Sequence, residues 1–341
     1  MRSSIADKAM EAPVQLVSTR PSSAGRAPQA VGAKPHGFSK RHQLLLFFAM
    51  AFAISYAGIL LVLRFGGDEP VTPTDSRFLL MMLAWLAGPS VASLVMTGVV
   101  SGKSGYRHLF GRLITWRVGL GWYAFALLPA PLVSVGLSYA LSAFSPAFLP
   151  NIVTNADTAA VLVMGLGYGP LGGGFLEELG WTGFAVPRFR LRYSVLGAGL
   201  IMGLLWGAYH FSIIFWSGNP TGALALGLLL PLQLFGWLPP FRVLMVWMYD
   251  HTNSLMLAML MHASATASML ILQPFGISGV MLLAYVLGLA VVYWAILGVV
   301  AVATCGRFAK APRTRWSSQR DGRCCSYAAP IVWVRNHSAH R

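Results

Sequence analysis

Glu177, Glu178, His210, His262 and Arg242 are the side chains of this sequence best placed to do chemistry, because each lies inside a long apolar run. A charged group in hydrocarbon costs at least ~2.5 kcal/mol on insertion scales, so such residues face a bundle interior and mark function. The other acids, Asp7, Glu11, Asp68, Glu69, Asp75, Asp157, Asp250 and Asp321, fall in tails, in loops or at a membrane edge. Two carboxylates, two imidazoles and a guanidinium can activate water, polarise a carbonyl or relay protons. Glu177, His210 and His262 can also hold a zinc ion, with water in the fourth place. Spacing does not choose among these chemistries, although HExxH is absent.

Each candidate has a companion four residues away on the same helix face: Glu177 with Trp181, Glu178 with Thr182, His210 with Trp206, and His262 with Thr266. Neighbours on a helix point ~100° apart, so one glutamate faces the chemistry and the other is held by a structural partner. Gly172, Gly173 and Gly174 just before the pair permit close helix approach or local unwinding. Counted from the inner ends of their runs at ~1.5 Å per residue, Glu177 lies roughly 15 Å deep, His262 and Arg242 roughly 12 Å, and His210 roughly 20 Å or more. Glu177, His210 and His262 are expected to share a cavity lined by Trp181, Trp206 and Thr266, with a tilt of the fifth span bringing His210 level. Arg242 is expected to pair with Glu178. The competing reading has it snorkel to the inner interface.

The scaffold follows from composition. Of 341 residues, 56% are hydrophobic and 10% charged, against about a quarter charged in soluble chains, so the fold class is all-α, a polytopic transmembrane bundle. Eight runs reach the ~20 residues that a span needs: 43–64, 78–100, 118–146, 158–187, 194–216, 222–249, 254–272 and 279–303. With the N-terminus inside, 22 of the 25 Lys and Arg fall in inner segments, as the positive-inside rule requires. The net charge of +15 therefore speaks of topology and a lipid bilayer rather than nucleic acid. Residues 1–42 read as a disordered basic inner tail, 43–157 as N-terminal membrane helices, 158–272 as the core carrying the chemistry, 273–303 as a last helix, and 304–341 as a second basic inner tail. Residues 105–117, GYRHLFGRLITWR, suit a short interfacial helix. Cys305, Cys324 and Cys325 fit no ligand or disulfide pattern.

EELGWT at 177–182, WGAYH at 206–210 and HASAT at 262–266 resemble the CPBP family of intramembrane proteases, which includes the type II CAAX prenyl proteases and the Abi proteins. The family's motifs are Glu-Glu-x-x-x-Arg, aromatic-x-x-x-His and His-x-x-x-Asn on successive membrane helices. The resemblance runs from about 158 to 270, and EELGWTGFAVPRF carries most of its specificity. It implies that Glu177 activates the attacking water while His210 and His262 bind or polarise the scissile carbonyl. Glu178, Thr266, Trp206, Trp181 and Arg242 would support them. No cofactor is implied, zinc being the metal-dependent alternative. The substrate would be a peptide or protein, prenylated or otherwise membrane-associated, and the location a bacterial plasma membrane with both termini cytoplasmic. Thr182 stands where the motif has Arg, and Thr266 where it has Asn. These departures keep open a non-catalytic member acting in bacteriocin immunity or as a membrane binding protein. A proton-coupled transporter is the other alternative, although the internal repeat common in transporters is absent.

Overall fold

The computed structural model describes residues 40–65, 76–211, 225–306 and 308. These form a helical bundle: α1 (Lys40–Phe65), α2 (Ser76–Leu113), α3 (Leu120–Ser142), α4 (Thr158–Phe189), α5 (Val195–Tyr209), α6 (Gly227–Thr252), α7 (Leu255–Leu272) and α8 (Gly279–Ala303). No strand occurs among the described residues. All but α5 are long and apolar enough to cross a membrane. At 15 residues, α5 reaches ~22 Å, short of a full crossing, and the expected run to 216 continues into residues outside those described. The two expected tails, with Cys324 and Cys325, also fall almost wholly outside them.

The helices break where their sequences dictate. Leu128 separates Leu120–Leu127 from Pro129–Ser142, with Pro129 opening the second piece. In α6, Pro239 and Pro240 fall in the first turn of Leu238–Thr252, just after a break at Gly236 and Trp237. The Trp294 indole of α8 donates to the Gly236 carbonyl at 2.9 Å, satisfying a backbone group that a break at membrane depth would otherwise strand. Gly102 adopts φ 55°, a conformation few side chains tolerate, and divides α2. Beyond it, Tyr106 donates back to the Leu94 carbonyl at 2.8 Å, so the segment expected to be interfacial turns off the span.

At one end of the bundle the segments assigned to the inner side meet. Arg190 grips Asp250 through Nε at 2.8 Å and Nη2 at 3.0 Å, and Ser254 donates to the Thr115 carbonyl at 2.5 Å. Arg112, within the segment read as an interfacial helix, is buried. Its guanidinium donates to the Tyr249 hydroxyl and, at 2.6 Å, to the Gly183 carbonyl. One arginine thereby ties α2 to both α4 and α6.

Helices α5 and α6 pack almost backbone to backbone. A methyl group at Gly199 would sit 2.5 Å from Val243 Cα, and Gly203 and Gly207 continue the stripe at four-residue intervals, the small-residue spacing that lets membrane helices approach closely. This contact brings Trp206 of α5 onto Arg242 of α6.

Candidate active site

Helix α4 carries the two glutamates on an irregular stretch. Gly169–Glu177 and Trp181–Ala185 wind as π-helix around one short α-turn, Glu178–Gly180. Such widened turns are rare and concentrate at functional sites. Gly173 and Gly174 leave the backbone bare where it faces α7: a methyl group at Gly173 would lie 2.6 Å from His262 Nε2 and would also strike Thr266 Oγ1. Gly-to-Ala inside a helix ordinarily stabilises by about 1 kcal/mol. Gly173→Ala is expected to do the reverse here, displacing His262 and lowering the melting temperature. A thermal melt would check this, and an unchanged melting temperature would show that His262 has room to yield.

Glu177 is 1% exposed. It accepts two hydrogen bonds at 2.8 Å on the same oxygen, Oε2, one from the Trp181 indole and one from Trp206. Glu178 is fully buried and differently held. Arg242 Nη1 donates to its Oε1 at 2.8 Å and its Oε2 at 3.0 Å, the Thr182 hydroxyl donates to Oε2, and His262 Nδ1 lies 2.8 Å from Oε1. The structure therefore pairs Arg242 with Glu178 from a neighbouring helix, and Arg242 does not snorkel. Its guanidinium lies 4.1 Å over the Trp206 ring, a cation–π contact strengthened by desolvation. Arg242 Nε and Nη2 have no hydrogen-bond partner among the described residues.

Trp206 joins the whole set. Its N–H holds Glu177, its face covers Arg242, and it meets the His210 and His262 rings nearly edge-on, with centroids 5.2 and 4.9 Å away. The depth mismatch expected for His210 takes a definite form: Trp206 is level with Glu177, and His210 caps α5 one turn further on. The three expected catalytic groups thus surround one indole. The direct carboxylate partner of His262 is Glu178.

Hydrogen positions on the two rings follow from their partners. A carbonyl or carboxylate can only accept, so His210 Nδ1 donates to the Trp206 carbonyl at 2.8 Å and His262 Nδ1 to Glu178. Each ring therefore keeps Nε2 for any further partner, accepting a proton there when the ring is neutral and donating when it carries both. Thr266 donates back to the His262 carbonyl at 3.2 Å, and its hydroxyl oxygen and His262 Nε2 both pack directly against Gly173. Among the described residues no three His, Cys, Asp or Glu side chains converge as metal ligands would.

A groove of about 350 Å³ runs along the bundle beside α5, lined by Tyr56, Ala208, Phe211, Leu230, Pro231 and Leu234, with Phe235 completing it. Ala208 and Phe211 flank Tyr209 and His210 in the chain.

Residues 158–268 match the family model described as type II CAAX prenyl endopeptidase Rce1-like. Over 236 residues the chain is 25% identical to CAAX prenyl protease 2 of Methanococcus maripaludis, an alignment covering 66% of this chain and 83% of that protein. The matched segment contains all nine residues of the site, from Glu177 to Thr266.

Proposed function

We propose that this chain, which belongs to the CPBP family of membrane endopeptidases, hydrolyses a peptide bond within the bundle by means of a water molecule activated by Glu177. The observation that carries the reading is the asymmetric anchoring of that carboxylate. Two indole donors immobilise Oε2, so Oε1 is the oxygen that meets water. Glu177 Oε1 takes a proton as the water oxygen bonds to the scissile carbonyl carbon. The carbonyl electron pair moves onto its oxygen, and the same proton passes to the leaving nitrogen as the C–N bond breaks. His262 and His210 act through Nε2, His262 in its doubly protonated form donating to the developing oxyanion. Glu178 and Arg242 are positioning residues, fixing the orientation of His262 and the face of Trp206.

The substrate is a peptide or protein reaching the site through the bilayer or from the inner side. The apolar groove beside α5 supports a substrate that carries hydrocarbon, a prenylated C-terminal peptide being the class named for the family and for the Methanococcus protein. Purified protein in detergent is expected to cut a farnesylated CAAX peptide faster than its unmodified counterpart, and to keep that activity in EDTA. Loss of cleavage in chelator, restored by zinc, would move the water onto a metal held by Glu177, His210 and His262.

A further inference from the structure

We propose that Trp85 of α2 is a substrate-binding residue whose indole N–H donates a hydrogen bond to a backbone carbonyl of the peptide bound beside His210. The proposal rests on the endopeptidase reading and extends it to a helix outside the segment that matches the family model.

Four observations carry it. Pro89 sits inside α2 and lacks an N–H, which frees the carbonyl four residues earlier, that of Trp85. Ser55 of α1 donates to this carbonyl at 2.5 Å, and the Tyr209 hydroxyl of α5 donates to it as well. The carbonyl freed by Pro89 is thus used to fasten Trp85 to α1 and α5. The side chain is aimed by the same contact: its ring stacks on Tyr209 at 4.9 Å and 15°, and stands nearly perpendicular to His210 at 5.0 Å. Trp85 is 4% exposed, yet its Nε1 has no hydrogen-bond partner among the described residues.

Buried polar groups are almost always bonded, and a donor left without an acceptor calls for a ligand or water. The indoles around the site make the contrast sharp. Trp181 and Trp206 both spend their N–H groups on Glu177, whereas Trp85, against His210, holds its own in reserve. Trp247 Nε1 is also without a partner, but its ring packs on Trp122, His251 and Phe308, none of which belongs to the site. An indole N–H donates only and does not titrate in the working range. The matching ligand is a neutral acceptor, and an extended peptide offers a carbonyl at each residue, main-chain bonds being the usual source of sequence-tolerant peptide affinity.

Trp85→Phe keeps a stacked ring and deletes the donor. The expected result with the farnesylated CAAX peptide is a KM raised roughly five- to tenfold, the size of one neutral hydrogen bond, with a melting temperature no lower than wild type. A packing role alone would not move a second readout. Peptides with each amide in turn reduced to CH2–NH are expected to show one position at which wild type loses affinity and Trp85→Phe does not. An unchanged KM, or no position with that coupling, overturns the proposal while leaving the endopeptidase reading intact. If Trp85→Phe fails to fold, benzothienylalanine at position 85, with sulfur in place of the N–H, is judged by the same two measurements. Wild type that neither binds nor cuts the peptide overturns both. Cleavage retained in Glu177→Gln sinks the role of Glu177 and leaves Trp85 to be judged on its own coupling.

Discussion

Glu177→Gln is expected to lower peptide cleavage about a thousandfold, within the ~10²–10⁴ range typical of a general base, while the protein remains folded. The geometry makes the substitution unusually clean. Gln keeps a carbonyl oxygen that can accept from both Trp181 and Trp206 in place of Oε2, and its NH2 group replaces the oxygen that would take the water proton. Structure is thereby preserved and basicity removed. Turnover measured in detergent beside a thermal melt separates the outcomes. Near-normal cleavage with the fold intact would leave His210 Nε2 as the base and overturn the assignment of Glu177. A chain acting by binding alone would show no cleavage in wild type and an unaltered cellular phenotype in the variant.

Much of this arrangement is legible in the sequence because hydrocarbon is a strict solvent. So few ionisable residues fall inside apolar runs that elimination alone picks out Glu177, Glu178, His210, His262 and Arg242. The pairing of Arg242 with Glu178 follows because each needs an opposite charge at the same depth. What helical spacing cannot convey is the rotation and rise of irregular turns. Depths counted at a uniform ~1.5 Å per residue assume α-helix, whereas α4 is π-wound on both sides of Glu178. The early end of α5 leaves Trp206, rather than His210, beside Glu177. Tryptophans in a membrane protein read first as packing or interface anchors, so the hub role of Trp206 has no sequence signal beyond its place four residues before His210. The burial of Arg112 has no sequence signal, since its partners Tyr249 and Gly183 lie on distant helices. For Trp85 a signal does exist in Pro89, whose missing N–H predicts an orphaned carbonyl four residues back without saying which helices will meet it.

Arg242→Ala is expected to cost about 3–5 kcal/mol, the usual consequence of breaking a buried ion pair from one side. Arg242 and Glu178 are both fully buried, so no solvent can replace the lost charge. The Thr182 hydroxyl and the His262 ring would remain on the carboxylate, and neither carries the fixed charge of a guanidinium. Two effects should appear together: a lower melting temperature in detergent, and loss of cleavage because the group that orients His262 has been disturbed. Arg242→Lys should lose less, since the single nitrogen Nη1 reaches both carboxylate oxygens and an ammonium can imitate that contact, although the planar stacking on Trp206 goes with the guanidinium. The decisive variant puts the cation back where the family motif carries it. Thr182 shares a helix face with Glu178 and already touches it, and Arg242→Ala vacates the volume that a new guanidinium would fill. Thr182→Arg on that background is therefore expected to recover part of both the stability and the cleavage. In wild type the same substitution should be destabilising, because two guanidinium groups would then compete for one carboxylate. Absence of any recovery, in a protein that still folds, would mean that Arg242 holds Trp206 rather than substituting for the motif arginine. Removing both charges distinguishes these roles further: Glu178→Gln with Arg242→Met should restore stability, as apolar replacement of a buried pair commonly does. If cleavage stays low in that double variant, the ion pair is needed to orient the His262 ring and the Trp206 indole as well as to neutralise Glu178.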